Sequence, residues 1–154
     1  MARKVLIVDD QPSITKLVSV KLSKEGFEVI EALDGEEGLR KAQEERPDLI
    51  ILDIMMPKMS GWEVRDKLRE DKRCQDIPVI MLTATGRFEE QLKGLEEGIE
   101  EYLTKPFDPN DLADLVKEVL DEESDFGRTE KRKKKKAKIR TIVDIMERRK
   151  TEGS

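Results

Sequence analysis

The sequence contains no histidine and only one cysteine, and both shortages narrow the chemistry available to it. Without an imidazole, the chain cannot perform histidine-based nucleophilic or acid–base catalysis or form the common histidine-rich metal sites. Any chemistry that passes through a phosphohistidine would need a partner to supply the imidazole. Because Cys74 is alone, no disulfide framework is possible within the chain, and we expect a location in the reducing cytoplasm.

Long hydrophobic runs are also missing. No apolar stretch approaches the roughly 20 residues that a transmembrane helix needs. The N-terminus leads straight into a predicted strand, without the longer apolar region of a signal peptide. Of the 154 residues, 42% are charged and 36% are hydrophobic. This composition predicts a soluble protein with one domain and an appendage.

The net charge of −5 conceals two oppositely charged parts. Residues 1–126 carry 18 Lys+Arg and 31 Asp+Glu, whereas residues 127–154 carry 12 Lys+Arg and 4 Asp+Glu. We therefore predict a folded domain over 1–122, a charged linker over 123–138 and a short amphipathic basic helix over 139–150. The residues that predict this helix, at helical spacing, are Ile139, Ile142, Val143 and Met146.

Five predicted strands alternate with five predicted helices. Continuous apolar runs at 5–8, 49–52 and 79–82 indicate strands buried on both faces, whereas charges interrupt the strands at 27–32 and 101–104, as at sheet edges. This pattern predicts an α/β, flavodoxin-like, doubly wound (βα)5 fold with a parallel sheet of order 2-1-3-4-5, plus the short C-terminal helix. The helices are expected after Pro12 (apolar residues Ile14, Leu17, Val18 and Leu22), after Asp34, near Gly61, around Leu92 and Leu95, and after Pro109.

The carboxyl ends of these strands collect the polar residues Asp9, Asp10, Asp53, Thr83 and Lys105. Ligands of open α/β sheets bind at this edge. Three carboxylates placed close together repel one another unless a cation is present, and hard oxygen ligands suit Mg²⁺. A carboxylate held beside such a cation and a lysine can attack a phosphorus centre, because both positive charges neutralise the phosphoryl oxygens.

Each of these residues also has an ordinary structural explanation. Asp10 could cap the first helix, and Asp53 could cap a loop. Thr83 could be a strand-end hydroxyl, Tyr102 a half-buried edge aromatic and Lys105 a solvated cation. Their joint occurrence at the strand ends favours a functional site over five independent coincidences.

Four motifs occur in order along residues 3–122. They are Val8-Asp9-Asp10, Leu52-Asp53-Ile54-Met55-Met56-Pro57-x-x-Ser60-Gly61, Leu82-Thr83-Ala84 and Tyr102-Leu103-Thr104-Lys105-Pro106-Phe107. Together they resemble the receiver domain of two-component response regulators, in particular the single-domain, chemotaxis-regulator-like form. No Gly-x-Gly-x-x-Gly or Gly-Lys-Ser/Thr loop indicates a nucleotide-binding relative instead.

The resemblance implies a role for each polar residue at the site. Asp53 would be the phosphoacceptor and would also contact Mg²⁺. Asp10 would bind the metal directly, Asp9 would act through a metal-bound water, and the backbone carbonyl of Met55 would complete the protein ligands. Lys105 would pair with a phosphoryl oxygen.

The resemblance also implies a switch. Thr83 would hydrogen-bond the phosphoryl group, Tyr102 would report the resulting movement through its rotamer, and the bond from Lys105 to Pro106 would be cis. By the same resemblance, Met55 and Thr85 would tune the lifetime of the acyl phosphate. Since Met55 cannot orient an attacking water, a longer-lived phosphoryl group is expected.

The function that follows is a response regulator in a phosphorelay. It would accept the phosphoryl group from a histidine kinase or histidine phosphotransfer protein, and it would assist its own phosphorylation and dephosphorylation without being a turnover enzyme. Output would pass to a downstream protein or a second copy. The surface used would be the basic tail or the face built from the fourth helix, fifth strand and fifth helix.

Two other functions remain open at this point. A nucleic-acid-binding regulator could act through the lysine-rich tail, although no aromatic residue interleaves its lysines for base stacking. A phosphatase of the haloacid dehalogenase type also forms an aspartyl phosphate, but it needs an Asp-x-Asp pair, and Asp9 and Asp10 are adjacent.

Overall fold

The computed structural model describes residues 2–84 and 101–121. Within these ranges the elements are β1 (Lys4–Val8), α1 (Pro12–Lys24), β2 (Glu28–Ala32), α2 (Gly35–Glu45), β3 (Leu49–Asp53), α3 (Gly61–Glu70), β4 (Val79–Ala84), β5 (Glu101–Lys105) and α4 (Pro109–Asp121). Helix α4 is therefore the fifth helix predicted from the sequence. The fourth predicted helix, the linker at 123–138 and the C-terminal helix at 139–150 lie outside the described residues.

The five strands form one parallel sheet in the order β2-β1-β3-β4-β5. This confirms the predicted fold class and places the two charge-interrupted strands at the edges. The register is the feature that matters most for function. Val8 lies opposite both Ala32 and Leu52, while Leu82 lies opposite both Asp53 and Leu103, so the carboxyl ends of the strands lie side by side.

Alternate residues of each buried strand enter two separate hydrophobic cores. In β3, Ile50 and Leu52 belong to a core shared with α2 and α3, whereas Leu49 and Ile51 belong to a core shared with α1 and α4. All four side chains are essentially inaccessible to solvent. This two-sided burial explains why the strand sequences are continuous aliphatic runs rather than alternating ones.

The helices begin and end largely where local sequence signals predict. The side chain of Asp34 accepts a hydrogen bond of 2.8 Å from the Glu37 backbone N–H at the start of α2. Gly26, with φ of 94°, follows the end of α1. Among the described residues, no helix is long and apolar enough to cross a bilayer.

One member of the predicted apolar stripe on α1 does not face the core. Val18 and Leu22 are buried and Ile14 is half-buried, but Leu17 is 42% exposed. In α4, by contrast, Leu112 and its apolar neighbours on the same helix face are all buried or half-buried.

Candidate functional site

Three carboxylates meet at the carboxyl edge of the sheet. Because Val8 pairs with Leu52, Asp9 and Asp10 follow β1 at the level where β3 ends on Asp53. Asp9, Asp10 and Asp53 each offer one carboxylate oxygen, and these oxygens all lie within 4.8 Å of one another. Asp9 and Asp53 are buried, whereas Asp10 is exposed.

Lys105, the last residue of β5, crosses above β4 to reach this acidic cluster. Its Nζ lies 2.6 Å from Asp9 Oδ2 and 3.5 Å from Asp53 Oδ2. One ammonium group thus serves two carboxylates, which leaves the described site with a formal excess of negative charge. The alternative that Lys105 is merely a solvated cation is wrong, because its side chain is only 21% exposed and makes a direct ion pair with buried Asp9.

Asp9 uses both of its oxygens within the protein. Oδ2 contacts Lys105, and Oδ1 accepts a hydrogen bond of 2.9 Å from the Gln11 backbone N–H. The N-cap of α1 is Gln11, and no side chain caps this end by a hydrogen bond. The capping explanation for Asp10 is therefore wrong, and its carboxylate is directed to the cluster instead.

The environment of Asp53 opposes its ionisation. Burial raises the pKa of its carboxyl to about 6, with a further contribution from the charge of Asp9. The ammonium of Lys105 and the Met55 N–H, which lies 3.3 Å from Asp53 Oδ1, lower the pKa but do not cancel the increase. When all three carboxylates are ionised, the single positive charge of Lys105 is therefore too little to balance them.

The residues present fit a magnesium ion. All three side-chain donors are carboxylate oxygens, the hard ligands that Mg²⁺ prefers, and they come from rigid strand ends. Exposed Asp10 opens the cluster to solvent on one side, which suits an ion that keeps several of its waters. The raised pKa of Asp53 also indicates a place where added positive charge would be favourable.

The two predicted switch residues lie on β4 and β5. Thr83 is 1% exposed and is the next residue after Leu82, which pairs with Asp53. Tyr102 is 8% exposed and belongs to the core on the α2 and α3 side, so it is buried rather than half-buried. The peptide bond between Lys105 and Pro106 is cis, which confirms that prediction. Thr85 lies outside the described residues.

Sequence reasoning missed a tight backbone contact beneath the site. A Cβ on Gly61 would overlap the backbone carbonyl oxygen of Asp53 and would lie 2.9 Å from Ile54 Cα. The Gly61 N–H also donates a hydrogen bond of 2.9 Å to the Ile54 carbonyl. The sequence marks Gly61 as a helix start, where its N-cap Ser60 accepts from the Glu63 N–H, but nothing local signals the close approach to β3.

Comparison with known proteins gives consistent results. A family model of the response regulator receiver domain matches residues 5–117. The alkaline phosphatase synthesis transcriptional regulatory protein PhoP of Bacillus subtilis is 46% identical over 120 residues, which are 78% of this chain and 49% of that protein. The DNA-binding dual master transcriptional regulator RpaA of Synechocystis is 44% identical over 117 residues, 76% of this chain and 48% of that protein. The chain thus spans about half the length of these relatives.

Solved structures agree with the sequence matches. The chemotaxis protein CheY4 of Vibrio cholerae superposes with a TM-score of 0.74 at 40% identity, covering 78% of this chain and all of CheY4. A CheY-like receiver domain protein from Methanospirillum hungatei gives 0.73 at 34% identity, covering 79% of this chain and 96% of that one. These matches favour the phosphorelay prediction over a nucleic-acid-binding protein that acts through its tail.

Proposed function

The chain belongs to the response regulator receiver domain family, and from this premise we propose that Asp53 accepts a phosphoryl group from the phosphohistidine of a sensor histidine kinase or histidine phosphotransfer protein. The observation that carries the proposal is the convergence of two more carboxylates and the Lys105 ammonium on Asp53. Because this chain contains no histidine, the donor imidazole comes from the partner.

In the proposed transfer, an oxygen of ionised Asp53 attacks the phosphorus atom. A new O–P bond forms, the P–N bond to the donor imidazole breaks, and the imidazole keeps the electron pair and takes up a proton from solvent. With a pKa of about 6, Asp53 is mostly ionised at neutral pH and is therefore available as the nucleophile. Lys105 lies close enough to pair with a phosphoryl oxygen as charge builds there.

We further propose which residues would hold Mg²⁺. Asp10 would bind directly, Asp53 and the Met55 backbone carbonyl would be further ligands, and Asp9 would act through a water. The role of Asp9 is supported by the engagement of both its oxygens with Lys105 and the Gln11 N–H. When bound, the ion supplies positive charge that offsets repulsion between the carboxylates and the incoming phosphoryl oxygens.

The signal would be read on β4 and β5. Thr83 follows the residue that pairs with Asp53, so its hydroxyl is a suitable donor to a phosphoryl group on Asp53. Tyr102 lies on the neighbouring strand β5 opposite Met81, two residues before the Thr104 that pairs with Thr83. Output through β5, α4 and the fourth predicted helix, to a downstream protein or a second copy, is the expected consequence. The protein would act as a signalling switch that assists its own phosphorylation and dephosphorylation.

The direct test is phosphorylation of the full chain with a small donor. With acetyl phosphate and Mg²⁺, intact mass spectrometry is expected to show the gain of one phosphoryl group, and chelation of the metal is expected to prevent it. Hydroxylamine, which cleaves acyl phosphates, should remove the added mass. No adduct with Mg²⁺, or an adduct that resists hydroxylamine, would contradict the proposal.

Mg²⁺ is expected to stabilise the fold through the carboxylate cluster. At a concentration about 100 times its Kd, the ion would add about 2.7 kcal/mol to the free energy of unfolding and raise the thermal midpoint. Circular dichroism melts and the fluorescence of Trp62, the sole tryptophan, would follow the titration at constant ionic strength. The rise of the thermal midpoint with Mg²⁺ should be absent in Asp10→Asn. It should be retained in Glu44→Gln, which removes an exposed carboxylate on α2. Equal shifts in all three proteins would rule out this site.

A long-lived phosphoryl group is expected because of Met55. Its side chain is 53% exposed beside Asp53 but has no group that could orient or deprotonate an attacking water. We expect Met55→Glu to shorten the half-life about 100-fold, at the low end of general-base effects, whereas Met55→Leu should leave it unchanged. Release of inorganic phosphate after removal of the donor measures both. Hydrolysis of the wild-type adduct as fast as that of a base-treated model acyl phosphate would contradict the expectation.

A domain arrangement completes the proposal. The receiver domain would occupy residues 1–122, followed by a charged linker at 123–138 and a short amphipathic basic helix at 139–150. The match to the receiver family ends at residue 117, before the lysine-rich segment begins.

A further inference from the structure

Helix α4 carries an unbalanced acidic surface. Its exposed face is lined by carboxylates at successive helical turns, which we call the acidic face of α4: Asp111, Asp114, Glu118 and Asp121. The helix contains four acidic residues and one basic residue, compared with four and two in α2 and three and three in α3. Helix α1 carries only basic residues. Among the described helices, α4 therefore has the most negative balance.

Two positive charges of the described residues, Lys117 and Arg3, lie near this face and compensate it in part. Lys117, the basic residue of α4, points to α1, where its Nζ lies 2.6 Å from Glu25 Oε2. Arg3 reaches Asp121 at 3.6 Å. Asp111 and Asp114 have no hydrogen-bond or ion-pair partner within residues 2–84 and 101–121. The carboxylates of Asp111 and Asp114 are thus available to an external cation, with Lys117 acting on Asp114 only through its charge.

The arrangement is unfavourable for the helix itself. Like charges spaced three and four residues apart destabilise a helix by about 0.2–0.5 kcal/mol per pair. The last turn of α4 contains no basic residue, although the helix dipole favours cations there. A positively charged segment on this face would relieve both costs.

The same chain contains such a segment. We propose that the basic tail, residues 128–150, docks on the acidic face of α4 in the unphosphorylated protein. The tail includes six consecutive basic residues, Lys131-Arg132-Lys133-Lys134-Lys135-Lys136. Half-buried Leu115 borders the acidic face, which suits the apolar residues that follow the lysines in the tail.

The length of the intervening chain permits this contact. The 13 residues of α4 extend over about 20 Å. Nine residues separate the end of α4 from the first lysine of the tail, and nine extended residues span about 30 Å. The lysines can therefore reach every turn of the helix, and a short connection gives them an effective concentration in the millimolar range.

Docking would make the tail a competitor for the output surface. This consequence rests on the proposed function, in which β5 and α4 contribute to the surface that partners recognise. The docking itself depends only on the unphosphorylated chain, and it can fail or succeed independently of phosphoryl transfer.

The test is a paramagnetic label on the tail of the full chain. A nitroxide would be attached at Ala137→Cys in a Cys74→Ala background, and amide line broadening would be mapped at about 20 mM and about 0.5 M salt, since screening at the higher concentration removes most surface attraction. Broadening concentrated on Asp111, Asp114 and Glu118 at low salt, and lost at high salt, is expected. Salt-dependent amide shifts of α4 in the unmodified chain give the same information without a variant.

Two double variants, each of which removes two exposed carboxylates, test whether the acidic face of α4 is the docking surface. Asp111→Asn with Asp114→Asn should weaken the docking equilibrium about fivefold, as expected for the loss of two exposed charge pairs. Glu44→Gln with Glu70→Gln removes two exposed carboxylates on α2 and α3 and should leave the broadening unchanged. Equal effects of the two pairs would overturn the proposal.

The remaining outcomes concern where the tail docks and whether it docks within its own molecule. Broadening centred on Leu17 and Val20 of α1, or no broadening, would overturn the proposal. Mixing isotope-labelled chains without nitroxide and unlabelled chains with nitroxide detects contacts between molecules. Broadening that persists undiminished in that mixture would mean that the tail docks on a second copy, and the intramolecular contact would be wrong.

Discussion

An Asp53→Asn variant is expected to take up no phosphoryl group from acetyl phosphate, whereas wild-type protein gains one. The amide has the shape of the carboxylate but cannot act as the attacking nucleophile. The variant should remain folded, because the native environment already disfavours the charge of Asp53 and raises its pKa to about 6. Intact mass spectrometry and a thermal melt of the same sample separate loss of chemistry from loss of structure.

Two controls give this experiment its meaning. Glu44→Gln removes an exposed carboxylate on α2 and should phosphorylate like wild type. Borohydride reduction of the wild-type adduct converts the phosphorylated aspartate to homoserine, and a peptide mass map then locates it. Adduct formation on Asp53→Asn, or homoserine at Asp10 in wild type, would assign the acceptor to another carboxylate.

Among the glycines in the described part of the chain, Gly61 is expected to cause the largest loss of stability when it is replaced by alanine. The new Cβ would overlap the Asp53 carbonyl oxygen and approach Ile54 Cα to 2.9 Å, and both atoms belong to the backbone, which cannot rotate away. Overpacking typically costs about 1–3 kcal/mol, and because the atoms in the way are backbone we expect a loss at the upper end, about 3 kcal/mol. Urea unfolding of the full chain, followed by far-UV circular dichroism, measures the change in the free energy of unfolding.

Gly26→Ala is the matched control. Nothing lies within 4 Å of the Cβ position at Gly26, but its φ is 94°, so alanine there meets a conformational cost of about 1 kcal/mol and no steric one. A Gly61→Ala variant no less stable than Gly26→Ala would show that β3 and α3 can separate without cost. The tight contact would then have no role in holding the Asp53 loop.

The fold was predictable because its signals are local and repeated. Residues 5–8, 49–52 and 79–82 are apolar without alternation, and only a strand covered on both faces requires that pattern. Charges at Glu28 and Glu31 identify an edge strand. Leu17 shows the limit, since helical spacing places it beside Val18 but cannot tell which side of a wide stripe faces the core.

The sequence predicted which residues form the site, but not which of them contact one another. A parallel sheet brings strand ends together whatever their sequence separation, so Asp9, Asp53 and Lys105 could be grouped in advance. That Lys105 lies 2.6 Å from Asp9 but 3.5 Å from Asp53 depends on the relative offsets of four strands. Likewise, the approach of Gly61 to β3 depends on how α3 packs, and no local pattern encodes it.

The alternation of side chains along the strands divides the molecule in a way that protein engineers can use. Asp53 and Lys105 alternate in phase with the strand residues of the core shared with α1 and α4. Thr83 and Tyr102 alternate in phase with those of the core shared with α2 and α3. Under the proposed function, a phosphoryl group on Asp53 that bonds to Thr83 would therefore connect the two cores at the carboxyl edge of the sheet. Exchanging the α2 and α3 side for that of another receiver would then change the surroundings of Thr83 and Tyr102, while Asp53, Lys105 and the proposed output helix α4 stay unchanged.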